Sequence, residues 1–230
     1  MATRYFGLIP AAGSGARFGG SLPKQYGEIK GRTLLWFAVR ALLADSRVEM
    51  VFVVLAPGDV EFRRYDWSEF GDRVAPLYCG GATRAESVRN GLICASDSIE
   101  LGDWVLVHDA ARPCLAREDL ARLIDTLSHD PVGGLLAAPL ADTLKRADAE
   151  SRVAATEPRK GLWRAQTPQM FRLGTLLRAL DAAPDVTDEA AAIEALGLKP
   201  RLVAGSAANI KVTYPEDVTT AAALLARSDM

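Results

Sequence analysis

The chain has 230 residues, 49% of them hydrophobic, which suffices for one well-packed α/β domain and hardly for two. A formal net charge of -2 supplies no basic footprint, so nucleic-acid binding is excluded as a main function and any positive charge that matters must be local. Cys79, Cys94 and Cys114, an odd set without a CxxC pair or a Cys/His cluster, argue against a disulfide frame and structural zinc and fit a reducing cytoplasm.

No apolar run could span a bilayer, and the opening residues, with a single Arg before a glycine loop, predict no signal peptide. Phe6 to Pro10 is a short apolar run, read as the first buried strand. Directly after it stand Pro10-Ala11-Ala12-Gly13-Ser14-Gly15-Ala16-Arg17-Phe18-Gly19 and then Pro23-Lys24-Gln25-Tyr26. Small residues and glycines let backbone N–H groups close on phosphate oxygens, and Arg17 and Lys24 add positive charge on either side of a flexible stretch. A dinucleotide fingerprint requires a third glycine where Phe18 stands, and a Walker loop requires Gly-Lys followed by Ser or Thr. Both are absent, so the loop is read as a cradle for a triphosphate and hydride transfer is disfavoured.

Thr33 to Ala44 repeats apolar residues at helical spacing, and Val51 to Ala56 is a second buried strand. Gly80-Gly81-Ala82-Thr83-Arg84-Ala85-Glu86-Ser87 follows a further strand and leads into the helix predicted over Arg84 to Ala95. Its backbone donors and the Ser87 hydroxyl suit base or ribose recognition; the competing reading is a turn with Thr83 as helix N-cap. Trp104 to His108 is a third buried strand, running into His108-Asp109-Ala110-Ala111-Arg112-Pro113. A carboxylate at such a strand end can hold a hard cation together with phosphate oxygens, which makes Asp109 the metal candidate. Arg112 is either a phosphate contact or the partner of Asp109, His108 reads as a packed strand-end residue, and His129 as a surface one.

Arg117 to Leu127 is a third amphipathic helix. Alternation of strand and helix predicts an α/β fold with a mostly parallel sheet covered on both faces and ligands beyond the carboxyl ends of the strands. The rhythm breaks at Pro139 to Arg159, where charged residues crowd a stretch with little apolar content, a functional or partner-contacting arm or else a plain surface loop. Val186 to Leu196 and Pro215 to Ala226 are read as helices. Before the last of these, Lys211 sits between apolar neighbours in Asn209-Ile210-Lys211-Val212-Thr213, on what is read as a short strand, as an anion partner or a snorkelling surface lysine.

Together these segments resemble the 2-C-methyl-D-erythritol 4-phosphate cytidylyltransferase family: the Pro10-to-Arg17 loop, Pro23-Lys24-Gln25-Tyr26, Val107 through Pro113, Ala141-Asp142-Thr143 and Asn209 through Thr213. The glycine loop alone is shared with many sugar-phosphate nucleotidyltransferases; its combination with the Asp109 and Lys211 motifs is far sharper, and the likeness runs nearly end to end. The resemblance implies a single domain over 1–230 on a Rossmann-like sheet sandwiched by helices, with a protruding dimerisation arm at about 139–160. It implies a cytoplasmic homodimer that uses CTP and Mg²⁺ and has no nucleic-acid or membrane partner. The sister chemistry, cytidylyl transfer to another polyol phosphate such as ribitol phosphate, is the alternative, and a nucleotide-binding regulatory protein is the rival from another class.

Carried over by motif, the resemblance makes Arg17 and Lys24 the transition-state-stabilising cations. Ala11, Ala12, Gly13, Ser14, Gly15, Gly80, Gly81, Ser87 and Asp109 become nucleotide contacts. Arg112, Thr143, Arg159, Thr167 and Lys211 become substrate contacts, with Arg159 acting in the neighbouring subunit. One position departs from the family pattern: Ala82 stands where an Asp often follows the Gly-Gly pair.

Overall fold

A computed structural model of the chain describes residues 3–13 and 22–228. Its elements begin with β1 (Tyr5–Pro10), the two-residue strands β2 (Glu28–Ile29) and β3 (Arg32–Thr33), α1 (Leu34–Leu43), β4 (Val48–Val54) and β5 (Val74–Leu77). They continue through α2 (Arg84–Ala95), β6 (Trp104–Val107), α3 (Arg117–Leu127) and β7 (Gly134–Pro139) to the pair β8 (Leu144–Ala147) and β9 (Val153–Glu157). Then come β10 (Trp163–Arg172), α4 (Leu173–Ala182), α5 (Glu189–Ala195), β11 (Arg201–Ala204) and α6 (Asp217–Ser228).

One seven-stranded sheet has the order β11-β7-β10-β6-β1-β4-β5. All neighbours are parallel except around β10, which runs antiparallel to both β6 and β7. The expected mostly parallel sheet is therefore present, with one reversed strand inside it. Alternation along the strands fills two separate cores. Ile9, Val51, Val53, Trp104 and Leu106 face α1, α3 and α6, while Phe6, Leu8, Phe52, Val54, Val105 and Val107 face α2, α4 and α5. Period-two side chains on strands buried from both sides produce the near-continuous apolar runs seen in the sequence. At Gly7 a Cβ would stand 2.8 Å from Leu42 Cδ1 and 2.9 Å from Val51 Cγ2, so the missing side chain lets α1 close on the sheet.

Several boundaries differ from expectation. The helix read from Val186 begins only at Glu189, because the Asp188 side chain accepts the Ala191 N–H and caps it there. The last helix starts at Asp217, whose carboxylate takes the Thr213 and Tyr214 N–H groups at 2.8 and 2.9 Å; Pro215 and Glu216 form the turn before it. The segment holding Lys211 is not a strand; its Val212 N–H bonds the Ala111 carbonyl at 2.8 Å, a single backbone bond to the loop after β6. The charged excursion is not a plain loop. It folds as a two-stranded hairpin, β8 with β9, apart from the main sheet, with the Lys145 ammonium on Thr156 Oγ1 at 2.7 Å and Arg146 on Glu157 at 2.6 Å. Among the described residues no helix is long and apolar enough to cross a membrane.

Candidate active site

Strand order changes direction beside β1: the chain proceeds outward through β4 and β5, then returns to place β6 on the other flank. A crevice opens beyond the carboxyl ends of strands at such a switch point. Here it is a cavity of about 540 Å³ lined from three sides, by Ala11, Ala12 and Gly13 after β1, by Gly81 to Arg84 and Ser87 at the start of α2, and by Asp109 to Ala111 after β6. Lys24 and Lys211 complete it. A volume of that order accepts a nucleotide. Ser14, Gly15 and Arg17 lie outside the described residues.

The loop after β1 is anchored at its first residue. Ala11 N–H donates to the Val54 carbonyl at 2.8 Å, and the buried Gln25 amide donates to the Ala11 carbonyl at 2.6 Å. Gly80 is tied to the Leu55 carbonyl at 2.8 Å, and a Cβ there would stand 2.2 Å from Ala12 Cβ and 2.8 Å from that carbonyl oxygen. Only glycine lets the two loops approach this closely. Thr83 is the N-cap of α2, as one of the two readings of its segment expects, with Oγ1 accepting from Glu86 N–H at 3.1 Å. The same segment nonetheless lines the cavity. Ser87 lies beneath it, its hydroxyl donating to the Thr83 carbonyl at 2.8 Å and accepting from Gly81 N–H at 3.1 Å. At Ala82, where an acidic side chain is missing, the backbone N–H donates to Glu86 Oε2 at 2.7 Å.

Asp109 is the electrostatic centre. Its Oδ2 is 2.7 Å from Lys211 Nζ and 3.8 Å from Arg112 Nε, and its Oδ1 is 3.0 Å from the Arg84 guanidinium. Burial alone would push this carboxyl up, but Arg84 and Lys211 outweigh it and hold Asp109 well below the usual carboxylate range. Arg84 in turn clamps Glu189, at 2.6 and 3.3 Å, on the first residue of α5. Sequence reasoning missed Arg84 and Glu189 as site residues. Arg84 did carry a signal: an arginine at the first position of a helix faces the positive end of the macrodipole, an arrangement that calls for strong anionic partners.

Beneath Asp109 runs a buried relay. Its backbone N–H donates to Thr167 Oγ1 at 3.0 Å, that hydroxyl lies 2.9 Å from His108 Nδ1, and His108 Nε2 lies 3.0 Å from the Arg112 carbonyl. A carbonyl only accepts, so the proton sits on Nε2 and Nδ1 accepts from threonine. Burial pushes His108 down to about 4, so the ring is neutral near pH 7, a packed strand-end residue as expected. Thr167 thus supports the site from below, its own carbonyl taking Asn209 Nδ2–H at 2.8 Å. Arg112 lies behind Asp109, donating to the carbonyls of Asn209 at 2.6 Å and Ala165 at 3.4 Å. Thr143 and Arg159 are exposed at the root of the β8–β9 hairpin, where Arg159 bonds the Ala141 carbonyl. They do not line this chain's own cavity.

Residues 6–227 match the model of the family described as IspD, 2-C-methyl-D-erythritol 4-phosphate cytidylyltransferase. The chain belongs to this family. It is 60% identical over 222 residues to the family's protein from Dechloromonas aromatica (strain RCB), covering 96% of this chain and 97% of that one. A relative from Nitrosospira multiformis is 57% identical over 225 residues, covering 96% and 97%. Among solved structures, a 4-diphosphocytidyl-2C-methyl-D-erythritol synthase superimposes with a TM-score of 0.87 at 41% identity, covering 98% of this chain and all (100%) of that one. The Thermus thermophilus cytidylyltransferase gives 0.78 at 32%, covering 99% and 100%. Membership makes the chain a CTP-dependent nucleotidyltransferase, and the resemblance drawn from its motifs holds.

Proposed function

We infer that the chain transfers the cytidylyl group of CTP to the phosphate of 2-C-methyl-D-erythritol 4-phosphate, releasing pyrophosphate and forming 4-diphosphocytidyl-2-C-methyl-D-erythritol on the way to isoprenoid precursors. The observation that carries this reading is the meeting of Lys24, Asp109 and Lys211 around one cavity beside the Ala11–Gly13 loop, in a chain matched to the family over residues 6–227.

A phosphate monoester has a second pKa of about 6, so the acceptor is largely dianionic at neutral pH and needs no general base. The neutral, fully hydrogen-bonded His108 accords with that: the chemistry asks for positioning and charge neutralisation. Lys24, with Arg17, meets the charge that grows on the α-phosphate and the leaving pyrophosphate. Ala11, Ala12, Gly13, Ser14, Gly15, Gly80, Gly81 and Ser87 frame the nucleotide. Lys211 and Arg159 hold the acceptor phosphate, Thr143 and Arg112 flank it, and Thr167 acts from beneath.

Asp109 is the residue for Mg²⁺. Its carboxylate lines the cavity, and an ion that takes one or two carboxylates and completes its shell from substrate phosphates would take the oxygen that Lys211 holds at 2.7 Å, with the Lys211 ammonium passing to the acceptor phosphate. Among the described residues no group of three His, Cys, Asp or Glu side chains forms a separate cage. When bound, the ion would neutralise phosphate charge.

Residues 1–230 act as a single cytoplasmic nucleotidyltransferase domain with an arm inserted at about 139–160, and the working form is a homodimer. Support for the dimer comes from Val153 at 65% exposure and Trp163 at 38% on and beside the hairpin, apolar surface that a second copy would cover. Arg159, which does not line its own cavity, then serves the neighbour's. The test is pyrophosphate release from CTP and Mg²⁺ with methylerythritol phosphate or ribitol phosphate as acceptor. Release with the first alone is expected; release only with the second would overturn the substrate.

A further inference from the structure

In the Pro23-Lys24-Gln25-Tyr26 motif, Lys24 and Gln25 line the cavity and Tyr26 does not. The two residues after Lys24 are buried, Gln25 at 6% and Tyr26 at 1% exposure, although they follow directly on a half-buried lysine. Both spend their polar atoms on other segments. Gln25 reaches the Ala11 carbonyl in the phosphate loop at 2.6 Å. Tyr26 Oη donates to Asp59 Oδ2 at 2.8 Å, while Asp59 Oδ1 accepts Phe62 N–H at 3.0 Å.

Asp59 lies near the start of the connection from β4 to β5, whose later part, up to residue 73, holds two short 3-10 turns, Phe62–Arg64 and Ser68–Arg73. The stretch is packed through its rings. Phe62 stacks on Trp67 at 4.4 Å between centroids and 9° between planes, Trp67 Nε1–H donates to the Phe62 carbonyl at 2.8 Å, and Phe70 packs on Trp36 of α1 at 5.5 Å. Tyr65 then lies flat on Tyr26 at 5.6 Å and 3°. Burial, with the Asp59 carboxylate beside it, pushes the Tyr26 phenol up, so this hydroxyl keeps its proton as a fixed donor.

We propose that Tyr26 and Asp59 are positioning residues for the transfer reaction: their hydrogen bond, braced by the aromatic stretch 57–73, fixes the Lys24–Tyr26 turn so that Lys24 meets the triphosphate in one place. The phenol hydroxyl touches no substrate, and its effect passes through Lys24. This rests on the reading of Lys24 as a transition-state cation. A displacement of about 1 Å in such a group costs up to about a hundredfold in rate, so losing this tether is expected to lower kcat by about tenfold.

The experiment is a double-variant cycle on the full chain, reading kcat and both KM values from pyrophosphate release for wild type, Tyr26→Phe, Lys24→Ala and the pair. Tyr26→Phe is expected to lower kcat with KM for CTP and acceptor nearly unchanged, and to lower it no further once Lys24 is alanine, because nothing remains to be positioned. If Tyr26→Phe is equally harmful in both backgrounds, or if the folded variant keeps wild-type kcat, the proposal is overturned. If Lys24→Ala itself keeps wild-type kcat, the Lys24 reading falls and takes this one with it. Where Tyr26→Phe does not fold, Asp59→Ala removes the acceptor of the tyrosine hydroxyl without touching the stacked rings and carries the same cycle, with the same results supporting or overturning the proposal.

Discussion

Replacing Arg84 by methionine would isolate the ion network at the base of the nucleotide cavity, because Met keeps much of the apolar stem and removes only the guanidinium. In the folded protein Arg84 binds Glu189 at 2.6 and 3.3 Å and Asp109 at 3.0 Å. The Glu189 side chain is 1% exposed and has no second cation within 4.0 Å among the described residues, whereas Asp109 keeps Lys211 at 2.7 Å. Most of the damage therefore falls on Glu189. Breaking a buried pair by removing one partner costs about 3–5 kcal/mol, and because Arg84 retains 28% side-chain exposure the low end applies, about 3 kcal/mol. For a chain of this size that is a fall of about 6–12 °C in Tm. Glu189→Gln alone should cost less, and the double variant should be more stable than Arg84→Met by about 1–2 kcal/mol, since no buried charge is left unpaired. Urea unfolding of the four proteins, read at constant m-value, measures each number. A loss below about 1 kcal/mol for Arg84→Met, or strict additivity of the two substitutions, would refute the account.

Three further outcomes follow from the geometry. Lys24→Ala should lower kcat by about a hundredfold or more in the pyrophosphate-release assay, the scale of one preorganised charge contact, and retention of kcat would remove Lys24 from the transfer step. Gly80→Ala places a methyl 2.2 Å from Ala12 Cβ, so calorimetry should show CTP binding weakened far more than that of the acceptor; equal weakening of both would contradict the loop packing. The folded pKa of His108, about 4, lies below its ordinary 6.5, so the unfolded chain binds a proton in this window that the native chain refuses. Stability is therefore full above pH 6.5 and is lost as pH falls toward 4, by about 2–3 kcal/mol between pH 7 and 4.5. His108→Gln should flatten urea midpoints across that range, and a variant that tracks wild type would show that another group dominates.

Much of this architecture was legible in the residues themselves. The limits of α2 and α3 coincide with the expected ones because Thr83 and the acidic first turn of α3 mark their starts. β1, β4 and β6 declare themselves as apolar runs because both faces are covered. β10 was not legible. It reads Trp-Arg-Ala-Gln-Thr-Pro-Gln-Met-Phe-Arg, and a proline among so many polar neighbours argues against a central strand. The structure accommodates it by a register shift between Ala165 and Gln169, and the irregular stretch is what carries Gln166 and Thr167 to the site. Asp109 and Lys211 could be suspected individually, but not that they bond each other, since that distance depends on how the irregular segment before α6 returns to Ala111. Gln25, Asn209 and Glu189 are polar residues buried by partners far along the chain, and no local pattern distinguishes them from surface positions.

The hairpin has a consequence for how this fold can change. Its two roots are fastened to each other before the arm begins, by the pairing of Pro139 with Trp163 and by the Leu140 N–H on the Leu162 carbonyl at 3.0 Å. Shortening, lengthening or replacing everything between them leaves the ends where they were, so it changes little loop-closure entropy and breaks no strand of the main sheet. An arm attached this way is an interchangeable part. Its length and sequence can vary while the seven-stranded sheet and the cavity beside β1 stay untouched.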